Sequence, residues 1–203
     1  MVGIIDYGMG NLRSLENALD RIGAPYVISD DTEVLQQCDK LILPGVGAFA
    51  DGMKNMAAKG LSQFVVESAK NKNVPLLGIC LGMQMLYEES EENGRNAGLC
   101  LLHGSVKRMQ GNVRIPSIGW NLLEQKQYHP VFDQLSQRPF VYYVHSYCAM
   151  DCKEEEVYGI SQYGDNVVPG LVGKDNILGC QFHPEKSSRD GEAILKYFLE
   201  VMG

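Results

Sequence analysis

The alternation of short apolar runs with helical repeats in the first half of this chain is the feature that most restricts its fold. Residues 2–5 are apolar, as in a buried strand, and apolar residues then recur at helical spacing between Leu12 and Ile22, before Gly23. A strand followed by a helix and a further strand favours parallel pairing through a right-handed crossover, so the pattern predicts a parallel sheet. The other elements predicted in this half are buried strands at 26–28, 41–43 and 74–79 and a helix at 61–69.

The second half has a different pattern. Between residues 100 and 182 the apolar runs are shorter and closer together, and turn signals such as Gly164-Asp165-Asn166 separate several of them, which predicts antiparallel hairpins. Apolar residues from Ala193 to Val201 predict a closing amphipathic helix. We therefore expect one α/β domain over residues 1–203, built on a single open, doubly wound sheet whose parallel core carries antiparallel additions.

Composition and charge exclude several classes of protein. Of the 203 residues, 45% are hydrophobic and 21% are charged, which excludes an intrinsically disordered chain. The 18 Lys and Arg against 25 Asp and Glu give a net charge of −7, so neither nucleic acid nor an anionic membrane surface is expected as a partner. No apolar stretch approaches the ~20 residues that span a bilayer, and the N-terminus lacks a signal-peptide pattern, so we expect a cytoplasmic protein.

The six cysteines have no C-x-x-C spacing, which is the signature of many zinc and redox sites. Scattered cysteines in a chain of this length indicate reduced thiols, most of them small core residues. The sequence therefore predicts no metal site. The cysteines are Cys38, Cys80, Cys100, Cys148, Cys152 and Cys180.

Cys80 differs from the other cysteines because it lies between Gly78 and Gly82, where a buried run passes into a helix. This Gly-x-Cys-x-Gly pattern matches a nucleophile elbow, whose sharp turn leaves no room for β-carbons two positions away. The helix N-terminus favours a thiolate, and the N–H of Leu81 is expected to face a developing oxyanion. A buried structural cysteine between two packing glycines is the alternative interpretation.

His183 is the candidate base for this thiol. Pro184 keeps His183 extended, so His183 and Glu185 project to the same side and the carboxylate can orient the imidazole. Both Cys80 and His183 follow predicted strands, at the sheet edge where open α/β enzymes place their active sites. A Gly-rich turn at residues 44–47 ends another strand; it either supplies a second oxyanion donor or is a bare turn.

Three segments, in this order, resemble the class I glutamine amidotransferases, which use a catalytic triad. They are Pro44-Gly45-Val46-Gly47, Gly78-Ile79-Cys80-Leu81-Gly82-Met83-Gln84 and His183-Pro184-Glu185. The resemblance runs from the first strand to the final helix. Within that class, residues 6–12, 118–121 and 183–188 are similar to the glutaminase subunits of imidazole glycerol phosphate synthase, which serve histidine biosynthesis.

The resemblance implies a role for each matching residue. Cys80 attacks the carboxamide of L-glutamine, His183 protonates the departing ammonia and activates water, and Glu185 orients His183. Leu81 and the peptide of Val46 and Gly47 form an oxyanion hole. In the family, this peptide must change its orientation before the hole is complete. No cofactor is implied. The residues implied to hold the glutamine are Gln84, Glu92, His145, Ser146 and Tyr147.

The resemblance also implies a partner. Free ammonia is mostly protonated near neutral pH, so the resemblance to these glutaminase subunits implies that ammonia passes directly to a (β/α)8-barrel cyclase, a separate subunit in a heterodimer. Asn11, Trp120 and Lys186 lie in the segments that meet this barrel in the family. For Trp120, burial in the core is the alternative interpretation.

Three other functions are compatible with parts of the pattern. The same glutaminase could supply ammonia to a different acceptor synthase, and the scaffold could serve as a catalytically silent interaction protein. The presence of Cys80, His183 and Glu185 argues against a silent protein. A cysteine hydrolase without glutamine specificity would leave Gln84 and residues 145–147 unexplained.

Overall fold

The computed structural model of the chain describes residues 1–202, which form fourteen strands, six α-helices and three short 3₁₀ helices. The strands are β1 (Val2–Ile5), β2 (Tyr26–Ser29), β3 (Lys40–Leu43), β4 (Leu76–Ile79), β5 (Glu89–Ser90), β6 (Asn96–Ala97), β7 (Ser105–Arg108), β8 (Ser117–Leu122), β9 (Glu124–Gln125), β10 (Phe140–His145), β11 (Tyr147–Met150), β12 (Val157–Tyr163), β13 (Asn166–Lys174) and β14 (Ile177–Cys180). The α-helices are α1 (Leu12–Ile22), α2 (Thr32–Leu35), α3 (Phe49–Ala58), α4 (Leu61–Lys70), α5 (Leu81–Gln84) and α6 (Ser188–Glu200). The 3₁₀ helices are Pro130–Gln134, Glu154–Glu156 and Pro184–Lys186.

The main sheet has eight strands in the order β2-β1-β3-β4-β14-β13-β12-β9. The first five of these are parallel to one another, and β13, β12 and β9 extend the sheet by antiparallel pairing. This confirms the predicted α/β class, with a parallel core and antiparallel additions. Because β4 and β14 are parallel neighbours, residues that follow either strand meet at one edge of the sheet.

Helices cover both faces of this sheet. Alternate strand residues point to opposite faces; Ile4 belongs to the cluster that contains Leu15 of α1 and Phe198 of α6, whereas Ile5 belongs to the cluster that contains Val65 of α4. The sheet is therefore doubly wound, as predicted. No helix among residues 1–202 is long and apolar enough to cross a membrane.

Three details of the fold differ from the sequence predictions. Six strands lie outside the main sheet, in an antiparallel ribbon of β8 and β10 and in a sheet of order β11-β7-β5-β6, where β5 and β7 are parallel. The apolar pair Leu101 and Leu102, within the region predicted to form hairpins, forms no strand, because the N–H groups of both residues bond to the carbonyl of Leu86. Finally, β2 is half-buried rather than buried, since it is an edge strand with β1 as its sheet neighbour.

Candidate active site

Cys80 lies on a strained turn that connects β4 to α5. Its φ of 55° and ψ of −109° are unusual for a residue with a side chain. Two hydrogen bonds hold the turn in place: the Cys80 N–H donates to the Cys180 carbonyl at 2.7 Å, and the Cys80 carbonyl accepts from the Gln84 N–H at 3.0 Å. The thiol is only 6% exposed. A backbone held in this conformation is what a nucleophile elbow requires.

The two flanking glycines permit this turn. A β-carbon on Gly82 would lie 1.8 Å from the carbonyl oxygen of Leu43 in β3, and one on Gly78 would lie 2.8 Å from the Cα of Met83. Both obstacles are backbone atoms, which a side-chain rotation cannot move. The absence of side chains at these positions is therefore a steric requirement of the elbow.

His183 and Glu185 form a buried pair beside the elbow. The His183 Nδ1 lies 2.8 Å from the Glu185 Oε1, and both side chains are at most 4% exposed. Burial by itself disfavours a charged imidazole, but the interactions with the Cys80 thiolate and the Glu185 carboxylate outweigh it and raise the pKa of His183 from 6.5 to about 10. At neutral pH the site therefore favours a protonated imidazole, held between Cys80 and Glu185. The second Glu185 oxygen, Oε2, is buried without a hydrogen-bond partner among residues 1–202.

A cavity of about 290 Å³ joins the thiol to the histidine. It brings together every residue that the sequence predicted for catalysis, the oxyanion hole and glutamine binding, apart from Glu185, which lies behind His183. Lys186, predicted to face a partner, also lines it. The predicted residues in the lining are Val46, Gly47, Cys80, Leu81, Gln84, Glu92, His145, Ser146, Tyr147, His183 and Lys186. Asn11 lies instead at a smaller cavity next to His183 and Glu185.

The predicted oxyanion hole is closed in this conformation. The Leu81 N–H donates to the carbonyl of Gly45 at 3.4 Å, while the Val46 N–H points the other way and donates to the carbonyl of Met9 at 3.3 Å. Both bonds involve the peptide between Gly45 and Val46, whose carbonyl accepts the Leu81 N–H and whose own N–H donates to Met9. Rotating it would free the Leu81 N–H and turn the Val46 N–H toward the same place.

The wall of the cavity opposite the triad is held by hydrogen bonds to the backbone. The Tyr147 carbonyl accepts from the Gln84 Nε2 at 2.9 Å and lies 2.9 Å from the His145 Nδ1. The Ser146 carbonyl accepts from the N–H of Met109. Glu92 accepts the Phe49 N–H at 2.8 Å, at the start of α3, and lines the cavity. Residues 145–147 are therefore fixed in the cavity wall by hydrogen bonds to neighbouring elements.

Sequence reasoning missed two groups that touch the sulfur. The Cys80 thiol lies 3.8 Å from the Val144 carbonyl and 4.0 Å from the Nε2 of Gln181. Gln181 had one signal in the sequence, its position two residues before the predicted base His183. A carbonyl such as that of Val144 leaves no signal in the sequence.

His145 is a neutral histidine in this site. Burial lowers the pKa of His145 from 6.5 to about 4; the bond to the Tyr147 carbonyl partly opposes this, and the positive charge of His183 adds to it. Because a carbonyl can only accept, the Nδ1 of His145 carries the proton and its Nε2 is free to accept a hydrogen bond. His145 can therefore bind a ligand donor without adding charge.

This pKa predicts an acid-dependent loss of stability. Between pH 6.5 and pH 4 the unfolded chain binds a proton at His145 and the folded chain does not, so the free energy of unfolding falls as the pH falls. The expected slope from this residue is about 1.4 kcal/mol per pH unit. Urea unfolding across this range should give His145→Gln a slope smaller by that amount. Equal slopes in both proteins would show that folding does not perturb the titration of His145.

An exposed apolar surface adjoins the cavity. Ile118 and Trp120 of β8 pair with Val144 and Tyr142 of β10, and Trp120 is 53% exposed with its ring edge-on to Tyr142 at 5.9 Å. We call Ile118, Trp120, Phe140 and Val144 the apolar ribbon face. The alternative that Trp120 is a core residue is therefore wrong.

Comparison with known families agrees with this geometry. Residues 3–202 match the family described as "Glutamine amidotransferase class-I". The chain belongs to this family. Among solved structures, a protein titled "Crystal structure of glutamine amidotransferase" superposes on the amidotransferase with a TM-score of 0.79 at 25% identity, covering 100% of this chain and 98% of the other.

Curated relatives place the amidotransferase within one branch of the family. The protein named "Imidazole glycerol phosphate synthase subunit HisH" in Oceanobacillus iheyensis is 46% identical over 202 residues, with 100% of both chains covered. The protein of the same name in Geobacillus thermodenitrificans is 47% identical over 208 residues, covering 100% of this chain and 96% of the other. The amidotransferase is therefore of the HisH type. Within residues 1–202 it has no cluster of three or more His, Cys, Asp or Glu that could hold a metal ion.

Proposed function

We propose that this amidotransferase is the glutaminase subunit of imidazole glycerol phosphate synthase. It hydrolyses L-glutamine to L-glutamate and ammonia, and a separate cyclase subunit uses the ammonia in L-histidine biosynthesis. The observation that carries the chemistry is the Cys80 elbow beside the buried His183–Glu185 pair. The identity of 46% over the whole length of a HisH relative supports the choice of acceptor. The chain acts as one amidotransferase domain over residues 1–203, works in the cytoplasm and needs no cofactor.

The reaction proceeds through a thioester. The Cys80 thiolate attacks the carboxamide carbon of glutamine, the C–N bond breaks, and His183 gives its proton to the departing nitrogen, which leaves as ammonia. His183, now neutral, takes a proton from water as the water attacks the thioester, and the C–S bond breaks to release glutamate. Glu185 holds the imidazole through Nδ1 and balances its charge whenever His183 is protonated.

The closed oxyanion hole makes the isolated chain a slow glutaminase. In the tetrahedral intermediate the glutamine oxygen becomes negative, and the Leu81 N–H that would stabilise it is bonded to Gly45. Loss of one oxyanion donor typically slows acyl transfer by about 10²–10³-fold. The Val46 N–H is held by Met9, only two residues before Asn11 in the segment proposed to meet the cyclase. We therefore expect that docking of the cyclase near Asn11 breaks the bond between the Val46 N–H and Met9 and lets the peptide between Gly45 and Val46 rotate.

The experiment that tests this function is a glutaminase assay with a (β/α)8-barrel cyclase and its nucleotide substrate. The purified chain should release little glutamate alone, and glutamate release should rise when both are added. Imidazole product should form from glutamine in the complex. Equal rates with and without the cyclase would contradict the coupling. Glutamate release without imidazole product would favour a different acceptor synthase.

The apolar ribbon face is the proposed centre of the cyclase interface, to which Asn11 and Lys186 are also proposed to belong. An exposed tryptophan next to the mouth of an active site is a typical anchor of an interface. We expect Trp120→Ala to weaken binding of the cyclase by about 30-fold or more. Calorimetric titration of the two subunits measures this. Tyr128→Ala is the control, since Tyr128 is 71% exposed and lies outside the apolar ribbon face; equal losses in both variants would contradict the assignment.

A further inference from the structure

Gln181 is a buried polar side chain to which the mechanism above gives no role. It follows β14, is completely buried, and its backbone N–H donates to the Gly170 carbonyl at 2.9 Å. Its side-chain amide lies between two active-site residues. The Oε1 is 3.0 Å from the Nε2 of Gln84, and the Nε2 is 4.0 Å from the Sγ of Cys80. Burying an amide is unfavourable unless its groups find partners, so both contacts matter for its placement.

The hydrogen-bonding capacities of these groups fix how the two amides are oriented. The Tyr147 carbonyl can only accept, so the Gln84 atom 2.9 Å away from it must be the nitrogen. That NH₂ group donates its second hydrogen to Gln181, so the facing Gln181 atom must be the oxygen. The NH₂ group of Gln181 is then the end that faces the Cys80 sulfur. The Oε1 of Gln84 remains for a ligand in the cavity.

This orientation matters most when the sulfur is charged. As a thiol, Cys80 can donate to the Val144 carbonyl, which lies 3.8 Å away. As a thiolate, it can only accept, and the Gln181 NH₂ group is a donor within reach. A donor favours the charged form of its partner, and a hydrogen bond to a charged group is stronger than one between neutral groups.

We propose that Gln181 is a positioning residue of the glutaminase site, which donates a hydrogen bond to the Cys80 thiolate and fixes the Gln84 amide with its oxygen toward the substrate. This inference rests on the proposed glutaminase function. Gln181 reaches the substrate only through Cys80 and Gln84. Its two ends thereby link the nucleophile to the glutamine-binding wall.

Two substitutions separate the two ends of the amide. Gln181→Met keeps the length of the side chain and removes both hydrogen bonds. Gln181→Glu keeps an acceptor for Gln84 but places a carboxylate oxygen where the sulfur had a donor. Gln162→Met is the matched control, because Gln162 is exposed on β12 and bonds to the nearby Gly164 carbonyl.

The first measurement is the rate of alkylation of Cys80 by iodoacetamide as a function of pH, which follows the thiolate without requiring turnover. His183 and Tyr7, the titratable groups that interact electrostatically with Cys80, are unchanged in all these variants. The pH midpoint should rise by about one unit in Gln181→Met, the size expected for one hydrogen bond to a charged group, and by more in Gln181→Glu. Gln162→Met should match the unsubstituted protein.

The second measurement is steady-state kinetics of each variant in the complex with the cyclase. Gln181→Met should raise the KM for glutamine and lower kcat, whereas Gln181→Glu should lower kcat with a KM close to that of the unsubstituted protein. A folded Gln181→Met protein with an unchanged alkylation midpoint would overturn the proposal. If that variant does not fold, an unchanged midpoint in Gln181→Glu, which replaces the donor at the sulfur by a carboxylate oxygen, would overturn it equally. Absence of glutaminase activity in the unsubstituted complex would contradict the proposed function and leave the alkylation result valid.

Discussion

We expect Cys80→Ala to lower the rate of glutaminase turnover by about 10⁴-fold or more, because the proposed triad acts as a unit and would lose its nucleophile. The backbone of the elbow is fixed by hydrogen bonds from the Cys80 N–H and to its carbonyl, and alanine keeps both groups. The substitution should therefore leave the fold intact. Glutamate release by the cyclase complex measures the first effect, and circular dichroism with thermal unfolding measures the second.

The chain offers a matched control for this variant. Cys38 has the same exposed fraction as Cys80, 6%. The two cysteines belong to different hydrophobic clusters of the core. Cys38→Ala removes the same atom from a comparable environment and should keep its activity within about threefold, as expected for a site remote from the chemistry. Turnover in Cys80→Ala that stays within tenfold of the unsubstituted rate would mean that another group forms the bond to glutamine.

Gly82→Ala produces the largest expected loss of stability, at least about 4 kcal/mol in the free energy of unfolding. The added β-carbon would lie 1.8 Å from the Leu43 carbonyl oxygen and 2.7 Å from its carbon. Leu43 belongs to β3, which is paired on both sides in the main sheet, so its backbone cannot shift without disturbing β1 and β4. Urea unfolding of the purified variant measures the loss.

Gly60→Ala is the control for the general effect of adding a methyl group to a glycine. Gly60 has a φ of +70° and no atom within 4 Å of the added carbon. Its substitution should destabilise by about 1 kcal/mol, the conformational strain alone. Equal losses in the free energy of unfolding in the two variants would contradict the close contact between Gly82 and β3.

The parallel core and the elbow were predictable from the sequence because both depend on local patterns. Apolar runs that alternate with helical repeats specify parallel strands, and Gly78 and Gly82 around Cys80 specify the turn between strand and helix. The proximity of His183 to Cys80 followed from topology, since both follow strands of a parallel sheet. These inferences needed no knowledge of contacts between distant residues.

The remaining features depend on long-range pairing that local patterns leave open. An alternating apolar strand fits many antiparallel partners, so the pairing of β8 with β10 and the separation of β7 and β11 into another sheet were not predicted. The half-exposure of β2 follows from its place at the edge. The direction of the Gly45 carbonyl is a choice between two orientations of one peptide, and the residue types on either side of it permit both.

Direct detection of the glutamyl thioester is the sharpest test of the central claim, that Cys80 forms a covalent bond to the substrate. The complex with the cyclase is quenched in acid during turnover of glutamine, digested, and its peptides are analysed by mass spectrometry. The peptide that contains Cys80 should carry one glutamyl group, which is absent when glutamine is omitted and in Cys80→Ala. Steady turnover with no glutamyl group on any cysteine, or with the group on a different residue, would contradict the claim.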